Sequence, residues 1–167
     1  TTHQKQNGTF TETPNPATLP VQLRADGGLL STADDYAKFI RMMLNGGQLG
    51  AARVLKESTV LDIGRNHMGA IRVRQQPSAN PGLSKPYPLG AGSDTWGLGF
   101  QLAGRPANPL DRSEGSMSWA GIFNTEFWID PKREIGGILL MQMLPFYDQA
   151  AIETLQGIEQ RVYSNLK

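Results

Sequence analysis

The chain contains no cysteine, which excludes disulfides, thiolate metal sites and a cysteine nucleophile outright. Histidine is nearly as scarce. His3 and His67 stand alone, with no H-E-x-x-H pattern or carboxylate cluster beside either, so no motif asks for a metal or any other cofactor. Charge of one sign is also missing: 16 Lys and Arg against 15 Asp and Glu leave a net charge of +1. Without a basic cluster, no field exists to recruit nucleic acid or an anionic membrane. No apolar run approaches the roughly 20 residues of a membrane helix, so no membrane span is expected. Residues 1–20 show neither the apolar core nor the basic start of a secretory signal, and no cellular address is legible. Gly97-Leu98-Gly99 does not extend to G-x-G-x-x-G, because Leu102 stands at the last position, and no P-loop lysine follows any glycine pair. What remains is ordinary for a soluble globular domain: 167 residues, 39% hydrophobic and 19% charged.

Residues 1–23 are rich in Thr, Asn, Gln and Pro without a sustained period, which predicts a surface loop. Asn7-Gly8-Thr9 is formally a glycosylation sequon. Ser31-Thr32-Ala33-Asp34 then has capping-box spacing, and Ala33, Tyr36, Ala37, Ile40, Met43 and Leu44 recur at helical intervals, predicting a helix over 32–45 that Gly46-Gly47 stops. A shorter helix is expected over 57–66, with Val60, Leu61 and Ile63 inward. Residues 69–95 hold Pro77, Pro81, Pro86 and Pro88 with several glycines and predict a long loop. Residues 96–102 alternate and predict a strand. The 113–144 stretch predicts a strand over 113–119, an alternating, half-covered strand over 123–129, and a doubly covered strand over 135–144. Asp130-Pro131 supplies turn chemistry between the last two, since Pro presets φ and Asp can bond back to the backbone. Residues 148–166 place Ala151, Ile152, Leu155, Ile158, Val162 and Leu166 on one helical face. The expected fold class is α+β: a helical region over 26–68, a loop over 69–95, antiparallel strands over 96–144 and a C-terminal helix over 148–167.

Two stretches carry a family resemblance. Gly115-Ser116-Met117-Ser118-Trp119-Ala120-Gly121, followed by Phe127-Trp128-Ile129-Asp130-Pro131, resembles the third active-site strand and hairpin of serine β-lactamase-type hydrolases, especially the class C β-lactamase and penicillin-binding-protein-like esterase branch. Asp26-Gly27-Gly28-Leu29-Leu30-Ser31-Thr32-Ala33-Asp34-Asp35-Tyr36 resembles the same family independently and in the right order. The resemblance implies the C-terminal part of one β-lactamase/transpeptidase-like domain, whose N-terminal part would be its partner. The nucleophilic serine, its lysine and a middle tyrosine motif would then lie upstream of this chain, which alone would be inert. It also implies that Trp119, Ala120 and Gly121 edge the substrate pocket and that the Ile122 N–H is one oxyanion donor, the second coming from the upstream nucleophile. The implied substrate is a small-molecule ester, amide or lactam. One departure bears on which: Trp119 stands where many penicillin-recognising members have lysine, so recognition of a lactam acid is put in doubt. The alternative is a non-catalytic homologue that keeps the cleft as a ligand- or protein-binding module.

Other candidates carry less. Ser164-Asn165-Leu166-Lys167 fits S-x-x-K and Tyr163-Ser164-Asn165 fits Y-x-N, but they overlap in the wrong order and read as coincidence. Gly27-Gly28 serves equally as a turn into the helix or as pocket lining. A chain opening on Thr1 invites comparison with N-terminal nucleophile hydrolases; such a threonine should open a strand leading into a core, whereas residues 1–7 are polar and loop-like.

Overall fold

The computed structural model describes residues 1–15 and 27–166. Asp26, at the head of the upstream motif, and residues 16–23 of the expected loop lie outside them. The architecture is α+β, as the residue pattern predicts, and is built on a sheet of order β5-β6-β7-β8-β9. Its strands are β5 (Thr95–Trp96), β6 (Gln101–Leu102), β7 (Met117–Gly121), β8 (Thr125–Asp130) and β9 (Ile135–Leu139), every neighbouring pair antiparallel.

Helix α1 (Ala33–Leu44) starts where the cap residues place it, one position later than the capping-box spacing suggests: Thr32 Oγ1 accepts from the Asp35 N–H at 3.2 Å. Gly46 and Gly47 end it at φ 60° and 91°. At Gly47 a Cβ would lie 2.3 Å from the Leu55 carbonyl oxygen, so no larger residue fits. Helix α2 (Glu57–Ile63) buries Val60, but Leu61 is exposed rather than inward. Ile40, Met42 and Met43 of α1 and Val60 of α2 pack against Leu102, Met117 and Ile129, forming the core on one face of the sheet.

Side chains alternate across a strand. Ser118, next to Met117, must therefore face the other side, where it lines a cavity with Ile152 and Leu155 of helix α3 (Gln149–Ser164). This covering explains a correction. The alternation of Phe123, Thr125, Phe127 and Ile129 with polar residues predicts a half-covered β8, yet Asn124, Glu126 and Trp128 are as deeply buried as Ile129.

Three further expectations change. Residues 96–102 are not one strand but a hairpin, β5 turning through Gly97-Leu98-Gly99-Phe100 into β6. The apolar run 135–144 is not a single doubly covered strand either. It breaks after Leu139, leaves Leu140 exposed, and resumes as β10 (Met143–Leu144) in a different sheet, parallel to β1 (Thr2–Gln6). Residues 1–13 are not loop: β1 pairs antiparallel with β2 (Thr9–Thr13) across Asn7-Gly8, at φ 49° and 81°. Two positive φ values make the primed two-residue turn that matches strand twist, for which Asn-Gly is the strongest short signal. The loop-like reading of residues 1–7 is thereby corrected, although β1 is a half-buried strand beside a wholly exposed one and does not lead Thr1 into a core.

Gly136 and Gly137 serve opposite faces of β9. A Cβ on Gly136 would lie 2.5 Å from Ile40 Cγ2 of α1, and one on Gly137 would lie 2.0 Å from the Trp128 indole. Overpacking of this kind costs about 1–3 kcal/mol, so Gly136→Ala and Gly137→Ala are both expected to lower the urea midpoint. Gly137→Ala should shift the tryptophan emission more than Gly136→Ala, because its Cβ meets the Trp128 indole itself whereas that of Gly136 meets Ile40 and only the Trp128 backbone carbonyl, at 2.8 Å; a larger shift in Gly136→Ala would refute the two-face account.

Candidate active site

Strand β7 carries Trp119, Ala120 and Gly121, and its ladder shows which groups are left free. The Ala103 N–H donates to the Ser116 carbonyl at 2.9 Å. Bonded pairs alternate along an antiparallel ladder, so the next bonded pair is Gln101 with Ser118. Ala120 should bond next on that side, but β6 has already ended in the 97–100 turn. Its N–H and C=O therefore face an unpaired edge. Trp119 and Gly121 turn their backbone groups the other way, to Phe127 and Thr125 of β8. Ile122 opens the turn after β7; it is half exposed, and among the described residues its N–H donates to no backbone carbonyl.

That turn is held from behind by Asn124, a residue the sequence reading placed on a strand face without a role. Asn124 sits at φ 60° and is buried. Its amide nitrogen donates to the Met143 and Pro145 carbonyls at 2.8 and 2.9 Å, and its oxygen accepts the Asp148 N–H at 3.3 Å. Asp148 in turn caps α3 through the Ala150 N–H and pairs with Lys5 of β1 at 2.9 Å. One chain of bonds thus runs from β1 through the α3 cap to the Ile122 turn. Asparagine suits this position because it tolerates left-handed φ and offers both donors and an acceptor.

Trp119 is walled by aromatic rings from two other segments. Trp96 of β5 lies 4.7 Å away and Tyr87, from the 69–95 loop, 6.1 Å away, both edge-on. Tyr87 is buried, held by reciprocal backbone bonds with Gln76, and backed by Phe146 and Tyr147. Behind the strand, cross-strand from Ala120, lies Glu126. It is 3% exposed, and among the described residues its Oε1 has no hydrogen-bond partner. Burial pushes its carboxyl up to about 7, with Arg112 opposing and Glu159 adding to the rise. The cavity of about 470 Å³ between Ser118, Gln101 and α3 lies on this same side, away from the core packed by α1.

The remaining candidates fall apart spatially. Ser164 Oγ donates to the Arg161 carbonyl at 3.1 Å at the end of α3. Among the described residues no serine hydroxyl is hydrogen-bonded to a lysine or tyrosine, and no cluster of His, Asp and Glu could hold a metal. No helix among them is long and apolar enough to cross a membrane. Gly28 has φ 91°, turn geometry, and neither Gly27 nor Gly28 has an atom within 4 Å of where a Cβ would stand.

An antiparallel sheet packed by α1 on one face and α3 on the other, with an unpaired edge beside Trp119-Ala120-Gly121, has the fold of the β-lactamase and transpeptidase class. The chain belongs to the beta-lactamase family, whose profile matches residues 1–157. Protein Rv1367c of Mycobacterium tuberculosis is 32% identical over 148 residues, covering 86% of this chain. The chain spans 35% of the length of that relative. Among solved structures, unliganded simvastatin synthase from Aspergillus terreus matches with a TM-score of 0.58 at 23% identity, over 77% of this chain and 33% of that one. A penicillin-binding protein homolog from Caulobacter crescentus matches at 0.55 and 19% identity, over 80% of this chain and 32% of that one. A beta-lactamase from Mycobacterium bovis matches at 0.55 and 18% identity, over 81% and 44%.

Proposed function

We propose that this chain supplies the third active-site strand of a serine acyl hydrolase that cleaves esters or simple amides in preference to β-lactam acids. The nucleophilic serine, its lysine and the tyrosine motif belong to the preceding part of the same domain. The observation that carries the reading is the edge at Ala120 and the Ile122 N–H, both without a backbone partner among the described residues, with an aromatic residue and not a cation at Trp119. An oxyanion needs fixed donors where charge develops, and a backbone N–H braced by Asn124 meets that requirement without reorganisation. The reaction would pass through an acyl-enzyme on the upstream serine, with Ile122 N–H helping to hold the tetrahedral oxyanion.

Trp119 sets the preference by desolvation. A lactam acid must surrender the hydration of its carboxylate on binding, and a lysine would return a charge-assisted bond that indole cannot. An apolar acyl or alkoxy group gains roughly 25 cal/mol per Å² buried against Trp119 and Trp96 instead. In the full-length protein, a short-chain aryl ester is expected to turn over faster than a chromogenic cephalosporin. Trp119→Lys should move the kcat/KM ratio toward the cephalosporin by about 10-fold or more, the worth of one hydrogen bond to a charged group. Wild-type preference for the cephalosporin, or an unchanged ratio in the variant, would overturn the role of Trp119. A full-length protein inert on both, with no S-x-x-K serine upstream, would point to the binding module.

A further inference from the structure

We propose that Lys5 is a positioning residue for the Ile122 N–H: by neutralising the buried Asp148 carboxylate, it keeps the Asp148 backbone seated against Asn124, whose own N–H closes the Ile122 turn. Its effect on catalysis rests on the proposed function, but its effect on the turn does not.

Ile122 is the second residue of a turn closed by the Asn124 N–H, which donates to the Gly121 carbonyl at 3.0 Å. The direction of the Ile122 N–H therefore follows Asn124. The Asn124 side chain is anchored at its nitrogen by the Met143 and Pro145 carbonyls at 2.8 and 2.9 Å, and at its oxygen by the Asp148 N–H at 3.3 Å, the longest of the three. Where residue 148 sits thus decides whether that oxygen is held. Asp148 is 3% exposed, and a buried carboxylate stays in place only while donors surround it. Lys5 Nζ donates to both of its oxygens, at 2.9 and 3.0 Å, across 143 residues of sequence. The Ala150 N–H reaches one of them at 3.1 Å, whereas Lys85 stands 3.6 Å from the other with a side chain 47% exposed. Lys5 is the principal counter-ion. The β-ladder fixes it there: His3 and Gln4 of β1 lie opposite Met143 and Leu144 of β10, and the His3 N–H donates to the Gln142 carbonyl at 2.8 Å.

Without Lys5 the carboxylate keeps one backbone donor and a distant ammonium, too few for a buried anion. Rotation toward Lys85 and solvent relieves it. That movement draws the Asp148 N–H off an oxygen it meets at 3.3 Å to begin with, and leaves the Asn124 side chain anchored by its nitrogen alone. The Ile122 N–H then loses its fixed direction. A donor aimed at developing charge acts mainly in the transition state, so the loss belongs in kcat and not in KM.

In the full-length protein acting on an aryl ester, Lys5→Met is expected to lower kcat by about 10-fold with KM within about twofold of wild type, a smaller loss than outright removal of an oxyanion donor. Lys5→Arg, which can still donate to both oxygens, should restore most of it. His3→Ala, which loosens the same hairpin at its 3.6 Å contact with Glu12, should leave kcat within about twofold. Asp148→Asn keeps a good helix cap without the charge, so in that background Lys5→Met should cost nothing further. Amide exchange at Asn124, measured in the same variants, reads the turn without any activity. It should be several-fold faster in Lys5→Met, and in Lys5→Met/Asp148→Asn it should match Asp148→Asn alone. An unchanged kcat or exchange rate in Lys5→Met, a loss carried by KM, an equal loss in His3→Ala, or no rescue by Lys5→Arg or in the double variant overturns the proposal. Should Lys5→Met fail to fold, Lys5→Gln, which keeps a single donor group, is expected to show the same pattern at smaller amplitude, and its absence there is equally decisive. If exchange responds as described but no ester is turned over, it is the proposed function that fails and the brace from Lys5 that stands.

Discussion

Replacing Asp130 by alanine is expected to lower the unfolding free energy by about 4 kcal/mol, since it strands two buried donors at about 1–3 kcal/mol each and opens a cavity. Asp130 is fully buried at the end of β8. Its Oδ2 accepts the Ser113 N–H at 3.0 Å and the Tyr163 hydroxyl at 2.8 Å, and its Oδ1 accepts the Arg133 N–H at 3.1 Å. Burial by itself would raise its pKa, but the Ser113 N–H, the Tyr163 hydroxyl and the Arg133 N–H more than offset that, and the net direction is down. Tyr163→Phe removes one donor and leaves the others in place, so it should cost about 1–2 kcal/mol. Urea unfolding of both variants checks the ranking. A Tyr163→Phe loss equal to that of Asp130→Ala would mean that the hydroxyl, and not the carboxylate, organises this corner. The sign of the pH effect follows from the lowered pKa: the stabilisation is present above the ordinary carboxylate value and is lost as pH falls through the folded one.

Asp130 also shows how a residue can be legible for one role and hidden for another. Asp130-Pro131 marks the β8–β9 turn in the sequence, and the Asp130 side chain does bond back to the Arg133 N–H. That the same carboxylate ties down α3 through Tyr163 depends on two segments meeting 33 residues apart. Helix α1 was readable because Thr32, the apolar spacing and Gly46-Gly47 act locally. The β1–β2 hairpin was concealed by composition: a strand exposed on both sides has no apolar alternation, so Asn7-Gly8 was its only signal. The split of the 135–144 run was not readable, because hydrophobicity does not say which sheet a strand joins. In the candidate site the Trp119-Ala120-Gly121 segment came from the family resemblance. Asn124 and Glu126 did not, because a polar letter in an alternating strand reads as solvent-facing, and only the cover supplied by α3 and residues 141–147 buries it.

Glu126 and Asp130 lie on one strand and, four residues apart, on one face, yet they titrate in opposite directions. The difference is hydrogen bonding: among the described residues Asp130 accepts three donors and the Glu126 Oε1 accepts none. With an ordinary value of 4.5 and a folded one of about 7, Glu126 binds its proton more tightly in the fold than in the unfolded chain. Between those values the unfolded chain holds fewer protons, so stability falls as pH rises, by about 3 kcal/mol once ionisation is complete. Glu126→Gln removes the titration but buries an amide that also lacks partners, at a cost of about 1–3 kcal/mol at every pH. The slope and not the level is therefore the test. Urea unfolding of the wild type should lose most of that 3 kcal/mol between about pH 5 and about pH 8, whereas Glu126→Gln should lose far less over the same range. Parallel slopes would place the Glu126 carboxylate in contact with donors or water in the fold. Below about pH 4 both proteins should weaken together as the Asp130 carboxylate takes its proton, leaving wild-type stability greatest in the interval between the two titrations.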